Sequence, residues 1–219
     1  MSNSPMRVVV LISGSGTNLQ AIIDGQQDGS LPIEIAAVIS NKPGVKGLQR
    51  AETANIATAV VDHKQFESRE SFDAALQLEI DKHQPQLVVL AGFMRILTPA
   101  FTAHYAGKML NIHPSLLPKY QGLHTHQRAI DAGDSIHGVT VHFVTAELDG
   151  GPAAIQAQVK IDSNDTADTL AAKVQVQEHI IYPLAVKWFA EGRLHMQANQ
   201  AWLDGKALPP CGHLLAAES

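Results

Sequence analysis

The 219-residue chain has one cysteine, Cys211, so neither a disulfide framework nor a cysteine-based metal site can be built from it. That usage fits a reducing compartment, and the expected location is the cytoplasm. No charged leader followed by an apolar core opens MSNSPMRVVVLIS, and no apolar run approaches bilayer-spanning length, so no membrane partner is expected. Basic residues are in deficit. The 16 Lys and Arg face 21 Asp and Glu, and the net charge of −5 has the wrong sign for a nucleic-acid surface. Local basic pockets for an anionic metabolite stay open. Internal repeats and low-complexity segments are lacking too. What is present, 45% hydrophobic and 17% charged, fits one globular domain with a full core over residues 1–219.

The first half alternates strands and helices. RVVVLIS at 7–13 is a β-branched run suited to a strand buried on both faces. Gly14-Ser15-Gly16-Thr17-Asn18 follows, and Leu19, Ile22 and Ile23 then mark a helix. Strand, Gly-rich turn and helix start form an anion site, where backbone N–H groups and the positive helix end converge. The dinucleotide fingerprint is absent, since Leu19 stands where its third Gly belongs, and no Gly-Lys-Ser/Thr makes a P-loop. The turn therefore reads either as a tight βα connection or as a monophosphate cradle with Gly16, Thr17 and Asn18 against the ligand.

Further strands are expected at 33–40, 57–62, 86–93 and 108–113, with helices at 46–54 and from Arg69 to His83, where Phe72, Leu76 and Ile80 recur every fourth residue. Pro99 opens another helix. Ligands of open α/β sheets lie at the C-terminal strand ends, so Met94, Ile96 and Leu97 are expected either to line an apolar slot or to be ordinary core. A short helix near 124–133 precedes two alternating runs at 138–144 and 153–161, an antiparallel extension. A long helix at 166–190 is capped by Asp165 or Thr166. Its buried stripe is Leu170, Val174, Ile181, Leu184 and Trp188, with Gln175 and Glu178 together on another face. The tail reads as irregular closure. The expected architecture is a Rossmann-like three-layer α/β fold, with a mostly parallel central sheet of about seven strands.

Chemistry concentrates in NIHPSLLPKYQGLHTH at 111–126. Asn111 and His113 alternate on a strand end, so both side chains face one side. Pro114 and Pro118 forbid a regular helix after them. An amide donor beside an imidazole suits acyl transfer. Asp149, in Leu148-Asp149-Gly150-Gly151-Pro152, is expected to meet His113 if that turn folds back, and there to hold the imidazole protonated. Without that contact Asp149 is a turn cap and His113 a core histidine. His124 and His126 with Asp149 are alternative metal ligands by type. However, no His-x3-His helix pair supports them, and no metal is expected.

The chain contains the segments GSGTNLQAII (14–23), VVLAGFMRIL (88–97), LNIHPSLLPKYQGLHTH (110–126), VHFVTAELDGGP (141–152), VQVQEHIIYPL (174–184) and AWLDGKALPP (201–210). In this order they resemble the phosphoribosylglycinamide formyltransferases, folate-dependent formyltransferases of purine synthesis. The resemblance implies transfer of a formyl group from 10-formyltetrahydrofolate to the amine of 5-phosphoribosylglycinamide. It implies Asn111, His113 and Asp149 as the catalytic set, with His113 as general acid and oxyanion donor. It implies a phosphoribosyl site of Gly16, Thr17, Asn18, Gln175, Val176, Gln177 and Glu178. The implied folate site is Arg69, Met94, Arg95, Ile96, Leu97 and Asn111 with Thr145, Ala146, Glu147, Leu148 and Asp149. Residues 1–100 would form the phosphate-binding half and 101–219 the catalytic and folate half. The partners implied are small molecules, on a monomer or weak homodimer. Gln121 departs from an expected Pro, and Ala153-Ala154 from bulkier aliphatics. The alternatives are a related deformylase, normally preceded by a regulatory domain, a methionyl-tRNA formylating relative, normally followed by a nucleic-acid-binding domain, and an idle phosphometabolite-binding module.

Overall fold

The computed structural model describes residues 4–215. The chain divides into two compact units, one ending at Asn111 and the other beginning at Ile112. In the first, β1 (Met6–Ile12) leads through α1 (Thr17–Gln27) to β2 (Ile33–Ser40), and α2 (Lys46–Thr53) leads to β3 (Thr58–Val60). Next come α3 (Arg69–Asp81), β4 (Leu87–Leu90), α4 (Pro99–His104) and β5 (Met109–His113), whose last two residues pass into the second unit. The strand order β5-β4-β1-β2-β3 is parallel throughout. This is the arrangement that short βα connections impose. Val8, Val9, Val10, Leu11 and Ile12 are all fully buried, as a strand covered on both faces requires. The side chains of Leu19, Ile22 and Ile23 from α1 and of Phe72, Leu76 and Ile80 from α3 complete this core.

In the second unit, α5 (Thr125–Asp131) precedes β6 (Ile136–Phe143) and β7 (Ala153–Lys160), which pair antiparallel with a register break between Val141 and His142. The helix α6 (Ala167–Ala190) packs on both strands. Thr166 is its N-cap and forms a reciprocal capping box with Thr169. Leu170, Val174, Ile181 and Trp188 are buried as the stripe required, whereas Leu184 is half-buried and Tyr182, Ala185 and Val186 join the buried set.

The tail differs from the expected irregular closure. Strands β8 (Leu194–Gln197), β9 (Gln200–Leu203) and β10 (Lys206–Ala207) form a small antiparallel sheet. Ala198-Asn199 and Asp204-Gly205, all at positive φ, make its tight turns. Then β11 (His213–Leu215) adds parallel to β7, so the main sheet has eight strands rather than about seven. The fourth strand stops at Leu90, short of the expected Phe93, because Gly92 turns the chain at φ +71°. The third covers only 58–60 of the expected 57–62, and a 3-10 turn at His63–Gln65 follows it. Among the described residues, no helix is long and apolar enough to cross a membrane.

Phe72 is 1% exposed and is among the largest fully buried side chains. Its truncation in Phe72→Ala should cost about 3–5 kcal/mol of unfolding free energy, measured by urea denaturation. A loss below about 1 kcal/mol would show that this site collapses around the cavity.

Candidate active site

In the second unit, β5 carries His113 into a loop that is fastened from beneath. Thr140 Oγ1 donates to Ser115 O at 2.7 Å and accepts from Leu117 N at 3.1 Å. Gln156 Nε2 donates to Leu117 O at 2.9 Å, and Thr125 Oγ1 to Pro114 O at 2.6 Å. Thr140 and Gln156 are buried side chains of β6 and β7, so strand residues fix the path of a loop that cannot become helical. Tyr120, at φ +54°, is pinned by its hydroxyl, which donates to Asp134 at 2.7 Å, and by Arg128 over its ring at 5.2 Å. Its carbonyl accepts from His113 Nε2 at 2.7 Å.

The other ring nitrogen of His113, Nδ1, lies 3.5 Å from Asp149 Oδ2. Both side chains are at most 8% exposed. The same Oδ2 accepts the Gly122 N–H at 3.0 Å, and Gln121 Nε2 donates to Asp149 O at 3.3 Å. Asp149 occupies the left-handed region at φ +50°. The turn after it leaves no room for a side chain at Gly151, where an added Cβ would run into Phe143 O. His142 completes the cluster, with Nε2 3.8 Å from Asp149 Oδ1. It follows the register break, the kind of irregularity that re-aims a strand side chain. His142 Nδ1 donates to Phe143 O at 3.0 Å, and Nε2 is buried without a hydrogen-bond partner. Burial lowers the pKa of His142, which keeps this imidazole neutral. Both nitrogens of His113 face acceptors, one a carbonyl and one a carboxylate.

In the first unit, Ser13 to Asn18, Ala91, Gly92 and Met94 line a pocket of about 240 Å³. Gly16, at φ +72°, is the N-cap of α1, and Asn18 Oδ1 is buried without a hydrogen-bond partner. Thr17 and Asn18 open the helix. The segment Met94–Leu97 is suspended between two buried anchors. Met94 N donates to Ser13 Oγ at 2.8 Å, and Thr98 N donates to Asp73 Oδ2 at 2.7 Å. Between them Arg95 sits over the Phe72 ring at 5.4 Å, while Met94 and Ile96 remain 61% and 52% exposed. Met94 and Ile96 are therefore not core, while Leu97 is half-buried.

Other expected residues are distributed as follows. Asn111 lies two positions before His113 on β5, the spacing that turns two strand side chains the same way. Gln175, Val176, Gln177 and Glu178 lie on the first half of α6, and burial pushes the Glu178 carboxyl up to about 7. Arg69 is exposed on the first turn of α3. Thr145 to Leu148 form the outer part of the Asp149 turn, with Leu148 52% exposed. His124, at φ +58°, is the N-cap of α5. His126 Nδ1 shares a hydrogen bond with His137 Nε2 at 3.1 Å. Burial lowers both pKa values, that of His137 to about 4, so this is a neutral pair. Among the described residues, no three His, Cys, Asp or Glu side chains are grouped as metal ligands would be. The sequence reading missed the Tyr120 carbonyl, the Gly122 N–H and His142. The first two are backbone groups that every residue carries, and the third acquires its direction from a register break.

The formyl transferase family model matches residues 6–186. The phosphoribosylglycinamide formyltransferase of Escherichia coli K12 is 57% identical over 208 residues, covering 95% of this chain and 98% of that protein. The trifunctional purine biosynthetic protein adenosine-3 of Homo sapiens is 44% identical over 88% of this chain, which spans 19% of its length. Among solved structures, the phosphoribosylglycinamide formyltransferase of Coxiella burnetii superposes with a TM-score of 0.93 at 55% identity. That match covers 97% of this chain and 100% of that one.

Glu178 offers a stability test in the ligand-free protein. Its pKa of about 7 lies above the ordinary 4.5, so between these values the folded chain holds a proton that the unfolded chain releases. Stability should fall as pH rises through that window. Glu178→Gln should therefore raise the melting temperature at pH 8 and change it little at pH 4. An equal effect at both would contradict the buried-acid assignment.

Proposed function

Because the chain belongs to the formyl transferase family, we propose that His113, Asp149 and Asn111 carry its reaction. That reaction transfers a formyl group from 10-formyltetrahydrofolate to the amine of 5-phosphoribosylglycinamide, a step of de novo purine synthesis. The observation that supports the assignment is the division of labour on one imidazole. Nε2 is committed to Tyr120 O at 2.7 Å. Nδ1 faces Asp149 Oδ2 at 3.5 Å, longer than a good hydrogen bond, so its proton remains available to a substrate oxygen within the field of the carboxylate.

As the amine attacks the formyl carbon, the carbonyl electron pair moves onto oxygen, where His113 and the Asn111 amide donate. One such donor is typically worth about 10²–10³ in rate. His113 then gives its proton to the folate nitrogen as the carbon–nitrogen bond breaks. Asp149 takes up the proton shed by the attacking amine, through water, and keeps His113 oriented throughout. No side-chain nucleophile enters, and no metal is assigned.

Gly16, Thr17 and Asn18 hold the phosphate by backbone N–H groups at the start of α1, and Gln175 to Glu178 contact the rest of the phosphoribosyl group. Arg69, Met94 to Leu97 and Thr145 to Asp149 hold the folate. In this reading residues 1–100 chiefly serve the phosphate and 101–219 the chemistry and the folate. We place the protein in the cytoplasm, on its single cysteine, as a monomer or weak homodimer. Its net charge of −5 favours small-molecule substrates over nucleic acid. Nothing in its composition calls for a membrane.

Asp149→Asn keeps the shape of the site and removes its charge. Turnover, followed by folate absorbance, should fall by about 10² or more while the KM for phosphoribosylglycinamide stays near its original value. Near-normal turnover in this variant would refute the assignment. In the unaltered protein folate release should require the amine. Release without it would indicate a deformylase.

A further inference from the structure

We infer that Arg50 of α2 is a positioning residue for phosphate binding, shaping the Gly14–Asn18 turn from its outer side. The inference rests on the proposed phosphate role of that turn. A backbone cradle that directs N–H groups inward directs its carbonyls outward, and each of those carbonyls needs a donor. Here three successive carbonyls have one. Gly14 O accepts from Gly47 N at 3.0 Å. Ser15 O accepts from Arg50 Nε at 2.7 Å. Gly16 O accepts from Gln20 N at 2.9 Å within α1. Arg50 Nη1 also reaches Gln20 Oε1 at 3.4 Å, so the guanidinium ties the turn to the helix that it starts.

The approach of α2 is close enough to be specific. A Cβ at Gly16 would meet Gly47 Cα at 2.7 Å and Arg50 Cδ at 3.4 Å. A Cβ at Gly47 would meet Ile12 Cδ1 at 2.5 Å and Gly14 O at 3.1 Å. Gly47 and Arg50 are three apart and share one face of α2, the face that meets the turn. Arg50 does more than fill space. The carbonyl of Ser15 and the N–H of Gly16 belong to one peptide unit. A guanidinium on the carbonyl polarises that unit and makes its N–H a stronger donor to an anion. The arginine therefore acts on the phosphate through a backbone peptide, without touching it.

The test uses steady-state kinetics of the full chain. In Arg50→Met, the KM for phosphoribosylglycinamide should rise about tenfold, as loss of a charge-assisted hydrogen bond implies. The kcat and the folate KM should stay within about twofold, since ground-state binding of one substrate is what is lost. Inhibition by inorganic phosphate should weaken in parallel. Arg50→Lys, which keeps the charge and a donor, should recover part of the affinity. A residue that only stabilised the fold would lower the melting temperature and leave the KM unchanged. That result, or an equal rise in both KM values, would overturn the inference. Thr17→Pro, which removes a backbone N–H at the first position of α1, where proline is tolerated, serves as the reference. If it raises the KM for phosphoribosylglycinamide and Arg50→Met does not, the role of Arg50 fails alone. If it also leaves the KM unchanged, the backbone phosphate assignment of the turn fails.

Discussion

The second unit is arranged around one carboxylate. Asp149 Oδ2 lies 3.5 Å from His113 Nδ1 and accepts the Gly122 N–H at 3.0 Å, while Oδ1 lies 3.8 Å from His142 Nε2. Burying a charge is costly unless it is paired and hydrogen-bonded. Much of the surrounding construction meets that requirement. The left-handed backbone at Asp149 and the absence of a side chain at Gly151 let the turn close over the cluster. The loop after β5 presents the Gly122 N–H and the Tyr120 carbonyl, and Thr140 and Gln156 hold that loop from the sheet. Burial keeps His142 neutral, and His113 is the imidazole proposed to move the proton.

The first unit solves a different problem with the same means. An anion cradle made from backbone needs its carbonyls occupied elsewhere, and α2 supplies donors to two of them. The Ser13 hydroxyl does similar work at the neighbouring strand end. It accepts from Met94 N and donates to Asn41 Oδ1, joining the start of the apolar segment to the end of β2. In both units, polar groups on the strands and helices or at their ends fix irregular backbone where ligands are proposed to bind.

Much of this was legible in the chain. The β-branched run at 7–13, the turn at 14–18 and the stripe of α3 each follow from a local rule, and the structure has the corresponding strand, turn and helix. The spacing of Asn111 and His113 on a strand end was readable for the same reason, since side-chain direction alternates there. The Asp149 turn was recognisable from Gly150-Gly151-Pro152, although its closure on His113 is a tertiary fact that the sequence could state only conditionally. Other features left no local trace. The Tyr120 carbonyl and Gly122 N–H belong to the backbone, and the direction of His142 comes from a register break. The pairing of His126 with His137 depends on how α5 lies against β6. The tail's strands are two to four residues long, too short for alternation to show in the sequence.

His113 and Asp149 are proposed to act as one catalytic device. A double-mutant cycle with His113→Ala, Asp149→Asn and the double variant, measured as kcat/KM at saturating cosubstrate, decides whether they do. If the two work as a unit, the double variant should be about as slow as the slower single variant. Independent multiplication of the two losses would contradict it.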